Sequence, residues 1–175
     1  RPLRQLINDT IGTGWPDHLD QLSGLAAHVD DAGFLEKYQA AKDANKARLA
    51  EWLKTREGVA VDPSAMFDIQ IKRIHEYKRQ LMNLLETVAF WNEIRANPTA
   101  DWTPRVKIFG GKAAPGYVVA KEIIHLINAV AEKVNADPVT APYLKVVYPA
   151  NYNVSVAERL EDARRELFES EEEKR

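Results

Sequence analysis

The sequence contains no cysteine. Disulfides, thiolate nucleophiles and cysteine-ligated zinc or iron–sulfur centres are therefore excluded. It also lacks any apolar run near the roughly 18 residues that a membrane-spanning helix needs. The start, Arg1-Pro2-Leu3-Arg4, has neither an initiator Met nor the apolar stretch of a secretory signal. It reads as the first residues of an excised piece, and a cytoplasmic location is expected. An excess of either charge is missing too: 24 basic residues face 26 acidic ones, a net charge of −2. No overall field draws nucleic acid or an anionic membrane, so neither is expected as a partner. His18, His28, His75 and His125 are scattered without metal-ligand spacing, so no metal is expected. No Ser-His-Asp pattern or nucleophile elbow occurs, and no internal repeat is evident.

What is present is a globular composition. The 175 residues are 45% hydrophobic and 29% charged, enough for one domain with its own core. Residues 1–60 read as a helical segment. Leu3, Leu6 and Ile7 mark a short amphipathic helix closed by Gly12-Thr13-Gly14. Asp17 is placed to cap a second helix reaching His28, with Leu19, Leu22 and Leu25 on one face. A long helix is expected from Asp30 or Asp31 to about Arg56, with Gly58 as its terminating glycine.

The texture changes over residues 61–160. Ala65 to Ile71 alternates with period two and reads as a strand. A helix is expected from about Glu76 to Ala96, its face formed by Leu81, Leu84, Leu85, Val88 and Trp91, and Asn97-Pro98 stops it. Val106-Lys107-Ile108-Phe109 reads as a second strand. Pro115 is expected to open a helix reaching Asn135, with Val119, Ile123, Ile124, Ile127 and Val130 on its face. Leu144 to Tyr148 reads as a third strand, and Val154 starts a last helix. This alternation predicts an α/β, Rossmann-like three-layer fold, with a parallel sheet of about three strands behind an N-terminal helical segment.

Ligands of such sheets sit at the carboxyl ends of the strands. Those ends carry Lys72-Arg73, Gly110-Gly111-Lys112 and Asn151-Tyr152. Lys72 to Arg79 holds four cations in eight residues, across a strand end and a helix start. Fixed cations beside unpaired helix N–H groups suit an anion; a solvated basic face is the competing reading. Gly110-Gly111 lets a backbone or ligand approach closely, or is a plain strand-to-helix turn. Neither GxGxxG nor a Walker loop is present, which disfavours a nucleotide-binding protein. Asn and Ser around Tyr152 cap the last helix in one reading, and Tyr152 faces a ligand in the other.

Taken together these strings are familiar. Phe67-Asp68-Ile69-Gln70-Ile71-Lys72-Arg73-Ile74-His75-Glu76-Tyr77-Lys78-Arg79-Gln80-Leu81 closely resembles the signature of the glycogen (α-glucan) phosphorylases. Gly110-Gly111-Lys112-Ala113-Ala114-Pro115-Gly116-Tyr117 follows at that family's interval, and then Asn151-Tyr152-Asn153-Val154-Ser155-Val156-Ala157-Glu158. Asn45-Lys46-Ala47-Arg48-Leu49-Ala50 fits upstream, so the resemblance covers about residues 10–160. It implies part of a pyridoxal-phosphate-dependent glycosyltransferase that splits α-1,4 glucan with orthophosphate. By that resemblance Arg73 and Lys78 hold the substrate phosphate as the catalytic cations, and Lys72 lies beside the cofactor phosphate. Tyr77 and Tyr152 line the cofactor and substrate pocket, with Gly110 and Gly111 in its wall. Tyr117 corresponds to an aromatic at the pocket mouth that stacks flat, purine-like ligands.

Beyond Glu158-Arg159-Leu160 the sequence departs from the family. The glycine-rich segment ending in the lysine that carries pyridoxal phosphate is not found anywhere in it. Residues 161–175 instead hold seven acids against four bases and read as a charged helical tail, with a pairing from Glu161 to Arg165. The tail has the composition of an idealised solvent-facing helix. The expectation is a fragment with part of a phosphate site, inactive alone and holding no covalent cofactor. The alternative is an engineered α/β scaffold or interaction module built on that fragment. Phosphate and α-glucan are the implied ligands, and a small detached sheet with open edges is expected to form a homodimer.

Overall fold

The computed structural model describes residues 2–163. Helix α1 (Pro2–Ile11) and a 3-10 helix (Leu19–His28) precede the long α2 (Ala32–Glu57). Strand β1 (Met66–Ile71), a one-turn 3-10 helix (Glu76–Lys78), α3 (Gln80–Ala96), β2 (Arg105–Gly110), α4 (Val118–Ala136), β3 (Leu144–Val147) and α5 (Val154–Ala163) follow. The three strands lie parallel in the order β1-β2-β3, Ile69 beside Ile108 and Ile108 beside Val147. This is the expected α/β layer behind a helical segment. Among the described residues no helix is long and apolar enough to cross a membrane.

Strand alternation splits the apolar side chains between two faces. Phe67, Ile69, Val106, Ile108 and Val147 point to one face, which α2 and α5 cover with Leu49, Leu53, Val156 and Leu160. Phe109, Leu144 and Val146 point to the other, under Leu84 and Ile94 of α3 and Ile123 and Ile127 of α4. Leu53, Ile94, Ile127 and Leu160 are each 0% exposed. Each such side chain contributes roughly 1.5–3 kcal/mol by leaving water.

The local signals hold in several places. Asp31 caps α2, its carboxylate accepting from the N–H groups of Gly33 and Phe34 at 2.9 and 3.2 Å. These bonds hold its pKa below the usual carboxylate range. Gly58 ends α2 at φ 70°. Asn153 caps α5, accepting from the N–H of Val156 at 3.1 Å.

Three helices depart from expectation. Residues 19–28 form a 3-10 helix rather than an α-helix; none of its side chains is buried, and the Asp17 side chain does not cap it. Helix α3 starts at Gln80 instead of Glu76, because Arg79 takes the left-handed conformation at φ 60°. Its buried stripe is Gln80, Leu84, Thr87, Phe90 and Ile94, while Leu81 and Leu85 are exposed. Gln80 and Thr87 tolerate the interior because each bonds to backbone there. Helix α4 starts at Val118, three residues after Pro115, and buries Ala120, Ala131 and Val134 beside Ile123 and Ile127. The tail from residue 164 on, including the pairing partner Arg165, lies outside the described residues.

Candidate functional site

The chain leaving β1 does not stop pairing at the strand end. Lys72 N–H donates to the carbonyl of Gly110 at 3.0 Å, and Ile74 N–H to that of Lys112 at 3.1 Å. This draws the Lys72-Arg73 segment alongside Gly110-Gly111-Lys112. The approach is so close that a Cβ on Gly111 would sit 2.2 Å from the Lys72 carbonyl oxygen. At Gly110 a Cβ would lie 3.3 Å from the Tyr152 ring, so Tyr152 covers the end of β2. Burial, and then the charge of Glu161, raise the pKa of the Tyr152 hydroxyl above its ordinary value. Tyr148 closes the group from β3 by donating to the carbonyl of Gly111 at 2.6 Å, and burial raises its pKa to about 12.

Lys72, Arg73 and Lys112 are exposed at this edge. Among the described residues none of the three has a side-chain partner. Tyr77 is 69% exposed, and the Lys78 ammonium lies 5.5 Å from its ring centre. His75 caps the short 3-10 turn, its Nδ1 accepting from Tyr77 N–H at 3.4 Å. Its ring packs between Tyr77 and Tyr117, at centroid distances of 4.3 and 4.9 Å. Tyr117 donates a short hydrogen bond to the Glu76 carboxylate, which raises the tyrosine's pKa. The structure therefore brings Lys72, Arg73, Gly110, Gly111 and Tyr152 together, with Tyr77 and Lys78 on the adjoining turn and Tyr117 reaching that turn from the start of α4.

The sequence reading passed over what lies beneath. Lys107, taken only as a strand residue, is 4% exposed in the middle of the sheet. Its ammonium pairs with Asp68, its register partner on β1, and with Glu86 at 2.6 Å. Gln70, Gln80 and Asn83 were not singled out either, and all three bond inward. The available signal was a lone charged residue inside an apolar strand, opposite an acid in the neighbouring strand. Two cavities, of about 760 and 430 Å³, lie away from this edge: one beside the start of β1, lined by Tyr38, Lys46 and Phe67, the other by Glu86, Trp102 and Arg105 at the start of β2. No group of His, Asp or Glu among the described residues could hold a metal ion.

A parallel α/β layer with cations and close-packed glycines at its strand ends defines the broad class, an α/β parallel-sheet protein. The particular family follows from comparison with known proteins. The family model for carbohydrate phosphorylases matches residues 1–166. Glycogen phosphorylase of Synechocystis is 46% identical over 158 residues, covering 90% of this chain. Glycogen phosphorylase of Haemophilus influenzae is 47% identical over 156 residues, and the human liver form of glycogen phosphorylase 45% over 158. The chain belongs to the carbohydrate phosphorylase family. It spans 19% of the length of each of these relatives.

Proposed function

We propose that this chain is the portion of an α-glucan phosphorylase that presents phosphate-binding strand ends, and that it does not carry out phosphorolysis by itself. The observation behind this reading is the trio of exposed cations, Lys72, Arg73 and Lys112, on adjoining parallel strand ends without partners among the described residues. Arg73 offers a planar fork that can grip two phosphate oxygens, while Lys72 and Lys78 act as point charges. Gly111 lets the Lys72 and Lys112 segments lie side by side, which supports a shared anion between their cations.

The residues present suit the phosphate end of pyridoxal phosphate. Lys72 would hold it, with the Tyr152 ring beside Gly110 as a wall. The only acid on the adjoining turn, Glu76, is engaged by the Tyr117 hydroxyl. When bound, the cofactor supplies a phosphate that can exchange protons with the substrate phosphate. This chain's residues then bind and orient: Arg73 and Lys78 neutralise the substrate phosphate, and Tyr77 and Tyr117 provide flat faces at the rim. Cytoplasmic glucan metabolism is the setting that the family resemblance implies.

Titration of the 175-residue chain with inorganic phosphate, followed by amide NMR, tests this reading. Shifts confined to residues 72–78 and 110–112, lost in Lys72→Ala/Arg73→Ala, are expected. A maltodextrin–phosphate assay should yield no glucose 1-phosphate. Phosphate that leaves those amides unmoved, or turnover with pyridoxal phosphate captured on one lysine, overturns it.

A second reading, a non-catalytic module that pairs with its own copy, is favoured by the β1 edge. Alternation turns the backbone groups of Phe67, Ile69 and Ile71 away from β2, and nothing among the described residues bonds to them.

A further inference from the structure

We infer that Gln70, Asn83 and Lys107 are positioning residues for the turn that presents Tyr77 and Lys78; the inference rests on the phosphate-site reading above. A single file of hydrogen bonds connects the middle of the sheet to that turn. The Lys107 ammonium donates to Asn83 Oδ1 at 3.2 Å. Asn83 Nδ2 donates to Gln70 Oε1 at 3.1 Å, and Gln70 Nε2 donates to the Lys78 carbonyl at 3.0 Å.

The polarity of this file is set at its buried end. A lysine ammonium can only donate. It must therefore face the oxygen of Asn83, which leaves the Asn83 nitrogen for Gln70. The Gln70 oxygen is then occupied, and its nitrogen has to point at Lys78. Neither amide can flip without placing two donors or two acceptors together. The ammonium is itself held in place by Asp68 and Glu86, on β1 and α3. One charge inside the sheet thus orients two amides and, through them, the backbone of Lys78.

The turn needs such a tie. Arg79, immediately after Lys78, has φ 60°, a conformation unfavourable for a non-glycine residue that persists where its surroundings impose it. The other end of the same loop is tied separately. Gln80, 1% exposed, donates to the Arg73 carbonyl at 3.2 Å and accepts from His75 N–H at 3.3 Å. The loop from Arg73 to Arg79 is thus held at two points. The Gln80 tie serves the Arg73 end, and the Gln70 file serves the Lys78 end.

The test compares the full chain with Gln70→Glu, which can still accept from Asn83 but cannot donate to Lys78. Asn83→Asp is the second variant, keeping the Lys107 contact while losing the donor to Gln70. Ile94→Val, at the far end of α3, controls for a general loss of stability. The readouts are amide shifts and fast-timescale order parameters of residues 76–79, and phosphate affinity. Both test variants should loosen residues 76–79, leave residues 72–74 in place and weaken phosphate roughly tenfold; Ile94→Val should do none of this. Unchanged order at 76–79 in a folded Gln70→Glu or Asn83→Asp, or equal loosening in Ile94→Val, overturns the inference. If the wild-type chain does not bind phosphate, the site reading fails alone. The order parameters still decide whether Gln70 positions the turn.

Discussion

Two neighbouring glycines at the end of β2 have unequal duties. A Cβ at Gly110 would press on the Tyr152 ring, which can yield by a few tenths of an ångström, whereas one at Gly111 would meet the fixed carbonyl of Lys72 at 2.2 Å. Gly111→Ala should therefore separate the two strand ends and cost roughly 3 kcal/mol or more. Gly116→Ala, where nothing lies within 4 Å, should leave stability nearly unchanged. Urea denaturation of the two variants measures the contrast, and equal midpoints would remove Gly111 from the site's framework. The sequence makes Gly110-Gly111 legible as a place of close approach. It does not tell which glycine matters, because the approaching atom belongs to a residue 39 positions earlier (Lys72). Lys107 was legible only as a lone charge in an apolar strand, for a related reason. A lysine inside an apolar strand is tolerable only with the Asp68 and Glu86 that folding brings to it.

Elements were read well where the signal is local, and shifted where the deciding contact is tertiary. Asp31, Gly58 and Asn153 mark helix ends through their own side chains or φ angles, and the ends fall where they say. The face of α3 was misjudged by about one position because Gln80 and Thr87 are polar by type yet satisfied within the fold. Asn135 shows the same limit and carries an element-scale prediction. From α4 it donates to the Val146 carbonyl at 2.8 Å and accepts from Val146 N–H at 2.9 Å, so a side-chain amide stands in for a neighbouring strand on β3. Val146 is 0% exposed, and its backbone groups have no solvent to fall back on. Asn135→Leu leaves both unpaired and should cost about 2–6 kcal/mol, at roughly 1–3 for each orphaned group. A thermal or urea midpoint equal to that of the wild type would mean the amide is only incidental to the edge.

At the scale of the whole molecule, the two edge strands of the sheet are finished differently among the described residues. Asn135 covers β3, but the outward backbone groups of Phe67, Ile69 and Ile71 on β1 have no hydrogen-bond partner among the described residues, and since Phe67 and Ile69 are 3% and 7% exposed, a strand can reach them only if what covers them moves aside. Parallel sheets are ordinarily covered, and an open edge pairs with whatever strand it meets. A second copy of this chain is a fitting partner by charge. Antiparallel pairing about Ile69 sets Phe67 opposite Ile71 and Asp68 opposite Gln70, so no like charges oppose each other. Sedimentation across micromolar concentrations should then show a monomer–dimer equilibrium. Ile71→Pro removes a donor from the open edge without touching the β1–β2 bonds, since Lys72 and Met66 supply the flanking donors to β2. That variant should shift the equilibrium to monomer. If Ile71→Pro folds poorly, hydrogen exchange on the wild-type chain decides. The Phe67 and Ile69 amides should become protected as concentration rises, while the Asp68 amide, already bonded to β2, should not change. A clean monomer throughout, with concentration-independent exchange at Phe67 and Ile69, would mean that the β1 edge takes no second copy.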